Sequence, residues 1–269
     1  MNPTRHRRPV LWAMAVILGA AFATSVRTAV DSNDAVAIWL FDESDGSAIL
    51  DATDNGHDGE FVNDVQRAAG KFGGGLAFDG EAAYVEMNSP VVTETLDFSM
   101  GCWVMPGPTQ KNWTNVLSSH QEPPQQGLSI EQEVGEANNY YLIGGDGSAW
   151  IGWVRGNLKT QLDADVWQHF AGVREGSTLT HYLNGEPTGS SEVGDNTLKP
   201  AISNFRIGNW VLGSREWSGV IDEAFIFNRA LQGDEIRTAM VDGLSGGVGV
   251  SPEGSMATAW ATIKAGNGP

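Results

Sequence analysis

Trp167-Gln-His-Phe-Ala-Gly-Val-Arg-Glu-Gly-Ser-Thr-Leu-Thr-His-Tyr-Leu-Asn-Gly185 is the stretch on which the fold turns. Its halves, 167–174 and 178–183, are short and rich in aromatic and β-branched residues, and Glu175-Gly-Ser177 between them supplies a tight turn. Short apolar runs bounded by turn residues signal a β-hairpin. The pattern extends in both directions: 35–41, 58–63, 76–78, 83–87, 97–104, 115–119, 127–133, 139–143, 149–154, 204–207 and 219–227 read the same way. No long amphipathic helix intervenes, so two packed antiparallel sheets are predicted rather than a parallel α/β arrangement. One short helix is expected over 231–241, with Gln232 or Asp234 near its start and Gly243 past its end. Trp167, Ala171, Phe225 and Phe227 are expected in the core.

Composition agrees. In 269 residues, 34 Gly, 10 Trp and 10 Phe with only 18% charged residues describe many turns between apolar strands. All-β sandwiches of this size commonly form one domain, so the chain reads as one domain at 35–241 with appendages. Residues 1–23 read as a secretory signal: Arg5, Arg7 and Arg8 precede an apolar run, and Ala21-Phe22-Ala23 is a small-x-small cleavage site. Alternatives are an uncleaved anchor running to Val26, with Arg27 at its outer end, or twin-arginine export through Arg7-Arg8. All three point to a secreted, periplasmic or cell-surface protein. Residues 242–269 read as a Gly/Ser-rich linker and a tail whose Met256, Trp260 and Ile263 could share one helix face.

A formal net charge of −17 repels phosphate backbones and anionic headgroups. Nucleic acid and peripheral membrane partners are therefore not expected, and a membrane would be met only through an N-terminal anchor. The single Cys102 can form no internal disulfide and reads as a small buried apolar residue.

The hairpin, as Trp167-x-His169-x-Ala171-x-Val173…Tyr182-x-Asn184-Gly185, resembles that of the laminin-G-like, concanavalin A-like lectin/glucanase jelly rolls. Four further stretches extend the resemblance over 35–241 in the expected order: Ile38-Trp-Leu-Phe-Asp-Glu43, the turn 51–59, Phe72-Gly-Gly-Gly-Leu-Ala-Phe-Asp-Gly80 with Tyr84-Val85, and Gly219-Val-Ile-Asp-Glu-Ala-Phe-Ile-Phe-Asn-Arg-Ala-Leu231. The resemblance implies a two-sheet antiparallel jelly roll whose first and last strands are adjacent. It also implies a binding or adhesion module, for carbohydrate or another extracellular surface ligand, rather than a catalyst. It further implies a structural Ca²⁺ with Asp222 as a side-chain ligand and carbonyls near Asp42 and Gly80.

Read on their own, Asp222 falls in line with Val220, Ala224 and Ile226 by period-2 alternation, and Asp42 with Ile38 and Leu40. A carboxylate on an apolar face needs a partner: Ca²⁺, which takes six to eight oxygens, an arginine such as Arg206 or Arg229, or backbone N–H groups. Asp51-x-Thr53-x-Asn55-Gly56 matches the first half of a calcium loop, but Val62 stands where the closing Glu belongs, so a polar turn is expected.

Glu131 and Glu133 lie two apart on a strand, hence on one face, and paired carboxylates serve glycoside hydrolysis. Laminarinase-type glucanases of this architecture carry an E-x-D-x-E strand; Ser129 and Gln132 depart from it. Two exposed acids on a solvated strand are the favoured reading, and a divergent hydrolase is the alternative. His57, His120, His169 and His181 are too scattered for a metal cluster, and His169 is expected to be a hydrogen-bonded core residue. Trp39, Trp103 and Trp167 sit in apolar strand patterns and belong to the core. Trp113, Trp210 and Trp217 stand among polar and Gly residues, where an indole can stack on a sugar ring, with Tyr140 and Trp150 as weaker members of the set. The competing reading packs each under a loop of its own domain.

Overall fold

The structure is a computed structural model that describes residues 30–245 except 93 and 152–157. The signal segment and the tail beyond 245 lie outside the described residues. In chain order the strands are β1 (Ala35–Trp39), β2 (Ala48–Ile49), β3 (Gly59–Val62), β4 (Gln66–Ala69), β5 (Gly74–Asp79), β6 (Tyr84–Met87), β7 (Phe98–Pro106), β8 (Asn115–Ser118) and β9 (Leu128–Gln132). They continue as β10 (Asn139–Gly145), β11 (Trp150–Ile151), β12 (Thr160–Gln161), β13 (Gln168–Glu175), β14 (Thr178–Leu183), β15 (Glu186–Glu192), β16 (Arg206–Ile207) and β17 (Ser218–Phe227), followed by one helix, α1 (Gly233–Asp242).

Among the described residues the strands form two antiparallel sheets. One runs β15-β14-β13-β7-β17-β5-β4, with β1 beside β17; the other runs β11-β10-β9-β8-β16-β6-β3-β2, with β12 beside β10. The hairpin read from sequence is β13–β14, with Gly176 at φ +58° in its turn. The first and last strands pair, Ala35 opposite Phe227 and Trp39 opposite Ala224. Alternation fills the space between the sheets: Phe98, Met100, Cys102 and Val104 of β7 meet Leu117, Leu128, Ile130 and Leu142 of the other sheet in one apolar cluster. Burial pushes the Cys102 thiol well above its ordinary range, so it stays an unionised packing residue.

A second cluster lies on the outer face of the first sheet. Phe225, Phe227, Ala171, Val173 and Ile38 are covered there by Leu231, Ile236 and Ala239 of the α1 region. This face explains the glycine at 101: a Cβ added there would lie 2.6 Å from Phe225 Cζ and 2.8 Å from Ala171 Cβ. Ala171, Phe225 and Phe227 are buried as expected, whereas Trp167 precedes its strand and is half-buried. Trp103 and His169 are buried on this outer face, edge to face at 5.5 Å. His169 Nδ1 has no hydrogen-bond partner, so packing between Trp103 and Phe225 holds the ring, not a side-chain hydrogen bond.

Candidate functional site

The second sheet turns its outer face to a cavity of about 310 Å³. In β9, Leu128 and Ile130 point into the core, so Ser129 and Glu131 point out. In β10, Tyr140 and Leu142 point in, so Tyr141 and Ile143 point out, and Tyr141 stands opposite Glu131. The Tyr141 hydroxyl donates to Glu131 Oε1. Three loops complete the walls, β7–β8 with Trp113, β8–β9 with His120 and Glu122, and β16–β17 with Arg215, and β11 adds Trp150. Asn209, itself buried, folds the β16–β17 loop by accepting from the backbone N–H of Trp210 (2.7 Å) and of Arg215 (3.2 Å), and that loop is tied to the start of β8 by Asn115 N–H donating to the Arg215 carbonyl at 3.1 Å.

Arg215 is the hub. Its guanidinium lies 3.9 Å from the Trp210 ring centroid and 5.5 Å from that of Trp113, with Nη2 3.4 Å from Glu122 Oε1 and Nη1 3.7 Å from Glu131 Oε2. His120 Nε2 is 3.6 Å from the same Oε2. Burial and Arg215 push His120 down to about 3, so its imidazole is neutral and this contact is no ion pair. Burial pushes Glu131 up to about 7 against the pull of Tyr141 and Arg215. Glu131 is only 4% exposed, yet its Oε2 has no hydrogen-bond partner. A buried acceptor left open in this way costs roughly 1–3 kcal/mol unless something fills it.

The sequence-read aromatics divide here. Trp113, 43% exposed, and Trp150 line the cavity. Trp210 stands behind it, one face against Arg215 and its Nε1–H donated to the His120 carbonyl at 2.9 Å. Trp217 and Tyr140 do not belong to the surface: both are fully buried, and Trp217 donates to the Tyr140 hydroxyl at 2.7 Å. Their polar sequence neighbours hid this, because β17 begins directly after Trp217 and carries its ring between the sheets. Glu131 is likewise no exposed acid. Glu133 follows β9 and is held by Lys159 at 3.4 Å, outside the cavity lining, so the two glutamates do not face one ligand. Tyr141, His120, Glu122 and Arg215 were not anticipated; for Tyr141 alone a signal existed, its alternation opposite Glu131.

Of the residues read for calcium, Asp222 and Asp42 meet at one turn and Gly80 stands apart. A bulge between Asp222 and Phe225, with Glu223 at φ +49°, shifts β17 so that Ile221, Ala224 and Ile226 face the core while Asp222 faces outward with Phe225. Asp222 is buried, accepting from Phe72 N at 2.9 Å and Glu223 N at 2.8 Å. Asp42 lies beyond β1, exposed, and accepts from Gly74 N at 2.7 Å. Gly80 packs on Ser218 at the opposite end of β17, roughly 13 Å along the strand from Asp222. Gly80 therefore stands apart, whereas Asp222 and Asp42 both hold the 70–74 turn and lie close enough for Asp42 to raise Asp222; among the described residues no three His, Cys, Asp or Glu side chains are grouped to hold a metal. Asp51 closes the predicted polar turn, accepting from Thr53 N and Ile38 N.

Known structures share this architecture. Domain 4 of the GH43 extracellular arabinanase AbnA from Geobacillus stearothermophilus, solved with arabinotriose, superposes with a TM-score of 0.59 at 21% identity over 76% of this chain and 97% of that one. The binding domain of Paraclostridial Mosquitocidal Protein 1 gives 0.59 at 18% identity over 78% of this chain and 52% of that one. Trypanosoma rangeli sialidase gives 0.58 at 18% over 81% of this chain and 34% of that one, so the chain spans about half and a third of the latter two. No curated protein matches the chain by sequence. A family model described as the concanavalin A-like lectin/glucanases superfamily matches residues 79–237, from the end of β5 into α1. With two antiparallel sheets and paired first and last strands, the chain belongs to the concanavalin A-like lectin/glucanase superfamily.

Proposed function

We propose that this protein is an exported, non-catalytic module that binds neutral carbohydrate in the cavity between Trp113 and Trp150. The observation that carries the reading is Glu131, whose buried Oε2 has no hydrogen-bond partner and whose side chain lines a cavity walled by indoles. A sugar offers what that arrangement lacks: a hydroxyl to donate to Glu131, an adjacent oxygen for Arg215, and a C–H face for the half-exposed Trp113. Glu131, Glu122 and the acidic surface disfavour anionic glycans. Arabinotriose bound to the arabinanase domain of the same fold supports the ligand class. Calorimetry or affinity electrophoresis on neutral and acidic polysaccharides tests it: wild type should bind a neutral polymer, and Trp113→Ala and Glu131→Gln should each weaken binding. Full binding by both variants would refute the site.

One observation favours a second reading, glycoside hydrolysis: burial keeps Glu131 able to donate a proton near neutrality, and Glu122 is a second carboxylate on the same cavity. Incubating the bound polymers with the protein and assaying new reducing ends separates the two. Binding without release of reducing ends is the expected result.

A further inference from the structure

The two oxygens of Glu131 stand in different surroundings. Oε1 accepts from the Tyr141 hydroxyl, and Tyr141 keeps its own proton because burial and the adjacent carboxyl group push its ionisation well above the ordinary range. A proton carried by Glu131 itself therefore sits on Oε2, the oxygen that no donor reaches. That same oxygen is the acceptor left for a ligand hydroxyl. A proton and a ligand hydroxyl thus compete for one atom.

The neighbours decide where that proton can go. Arg215 Nη1 lies 3.4 Å from His120 Nε2 and can only donate, so Nε2 accepts and the ring proton sits on Nδ1, 3.5 Å from Ser118 Oγ. A second proton on the ring would turn an N–H against the guanidinium. His120, although its Nε2 is 3.6 Å from Oε2, is therefore barred from taking the Glu131 proton, which must leave for solvent. Of the other groups that face Glu131, Arg215 Nη1 at 3.7 Å favours the ionised acid, while Glu122 and Glu133 oppose it, Glu133 being itself paired with Lys159 at 3.4 Å. Burial outweighs Tyr141 and Arg215, and the balance leaves Glu131 at about 7.

We propose that ligand binding in this cavity is coupled to release of one proton from Glu131, so that acidification closes the site to a hydroxyl donor. The coupling rests on the carbohydrate reading of the cavity. Oε2 is closed to solvent in the free protein, and the entering hydroxyl takes the place of Arg215 Nη1 beside it as the guanidinium swings toward Glu122, which it already meets at 3.4 Å. The step balances: the O–H bond of the neutral acid breaks, its proton passes to the buffer, and the carboxylate gains a charge-assisted hydrogen bond from the ligand hydroxyl.

Calorimetry with the neutral sugars arabinotriose, xylotriose, laminaritriose and cellotriose reads the coupling. For the tightest of them, affinity should be about tenfold lower at about pH 6 than at about pH 8, and the heat of binding near neutrality should differ between phosphate and Tris buffers in the sense of proton release. Glu131→Gln should bind equally at both pH values, with the affinity of acidified wild type. Tyr141→Phe, which removes a bond that holds the ionised acid, should move the midpoint of the profile to higher pH. In the free protein the ¹³C resonance of the Glu131 carboxyl group should titrate with the wild-type midpoint, a readout that needs no ligand and no variant. Affinity independent of pH, affinity that rises on acidification, or a carboxyl group already ionised at about pH 6 overturns the coupling while the sugar site stands. No binding of any of the four sugars at either pH overturns the carbohydrate reading and the coupling with it.

Discussion

Trp113 and Trp217 show how little the immediate sequence says about an indole. Both sit among polar and Gly residues, yet Trp113 is 43% exposed beside Arg215 and Trp217 is fully buried on Tyr140. Trp113→Ala should leave the melting temperature unchanged and weaken sugar binding by roughly tenfold, taking aromatic stacking at about 1–3 kcal/mol per ring. Trp217→Ala should instead destabilise the fold by about 3–5 kcal/mol, read by denaturant titration. Glu131 gives a pH signature. Burial raises its folded pKa from 4.5 to about 7, so its contribution to stability is full below about pH 4.5 and is lost as pH rises through 7. Comparing wild type with Glu131→Gln between pH 4.5 and 8 should show a shallower fall in the variant; parallel curves would contradict a buried, titrating Glu131. Glu131 was legible as a residue of interest, but its burial was not, because alternation fixes a face and not what loops lie over it.

At the scale of elements, β17 carries the main difference between pattern and structure. Period-2 alternation puts Asp222 with Ala224 and Ile226, and it fails because one bulged residue, Glu223, reverses the face for everything after it. Nothing in Gly219-Val-Ile-Asp-Glu-Ala-Phe marks that bulge, since Glu223 is not a glycine. The hairpin β13–β14, the pairing of β1 with β17 and helix α1 were all legible, because local period, turn residues and the order of landmarks coincide there. The outer cluster under α1 was not, and it yields a test. Ile236→Ala, fully buried, should cost about 2–5 kcal/mol in chemical unfolding. Gly101→Val, which would drive its side chain into Phe225 and Ala171, should also lower the unfolding midpoint, and an unchanged midpoint would mean that these faces are not in contact.

For the whole molecule, charge and fold set the conditions of binding. If the ligand is neutral as proposed, affinity should be nearly the same at low and high salt despite the net charge of −17, whereas attraction of a cationic polymer would fall as salt screens it. Thermal melts in Ca²⁺ and in chelator test whether Asp222 and Asp42, which both hold the 70–74 turn, take up a cation; coincident melts would mean that they do not. A rise of about 2.7 kcal/mol in stability at a hundredfold excess of Ca²⁺ over Kd would instead reveal a cation held by the folded state.

The sequence by itself determined the class of fold, most of its strands and the acidic, disulfide-free composition, because each is set by local periodicity, turn chemistry and residue content, whereas the order of strands within the sheets and the strands Gln66–Ala69 and Glu186–Glu192 came only with the structure. It also brought Trp113, Trp150 and Glu131 into view as separate residues. Only the tertiary structure decided that these three share a cavity with Tyr141, His120 and Arg215, and that Trp217 and Tyr140 do not. It also decided that Asp222 faces away from the inter-sheet core. The reason is the same in each case: the site is assembled from loops and strands far apart in the chain, and their meeting depends on cross-strand register and a single bulge, which no local pattern records.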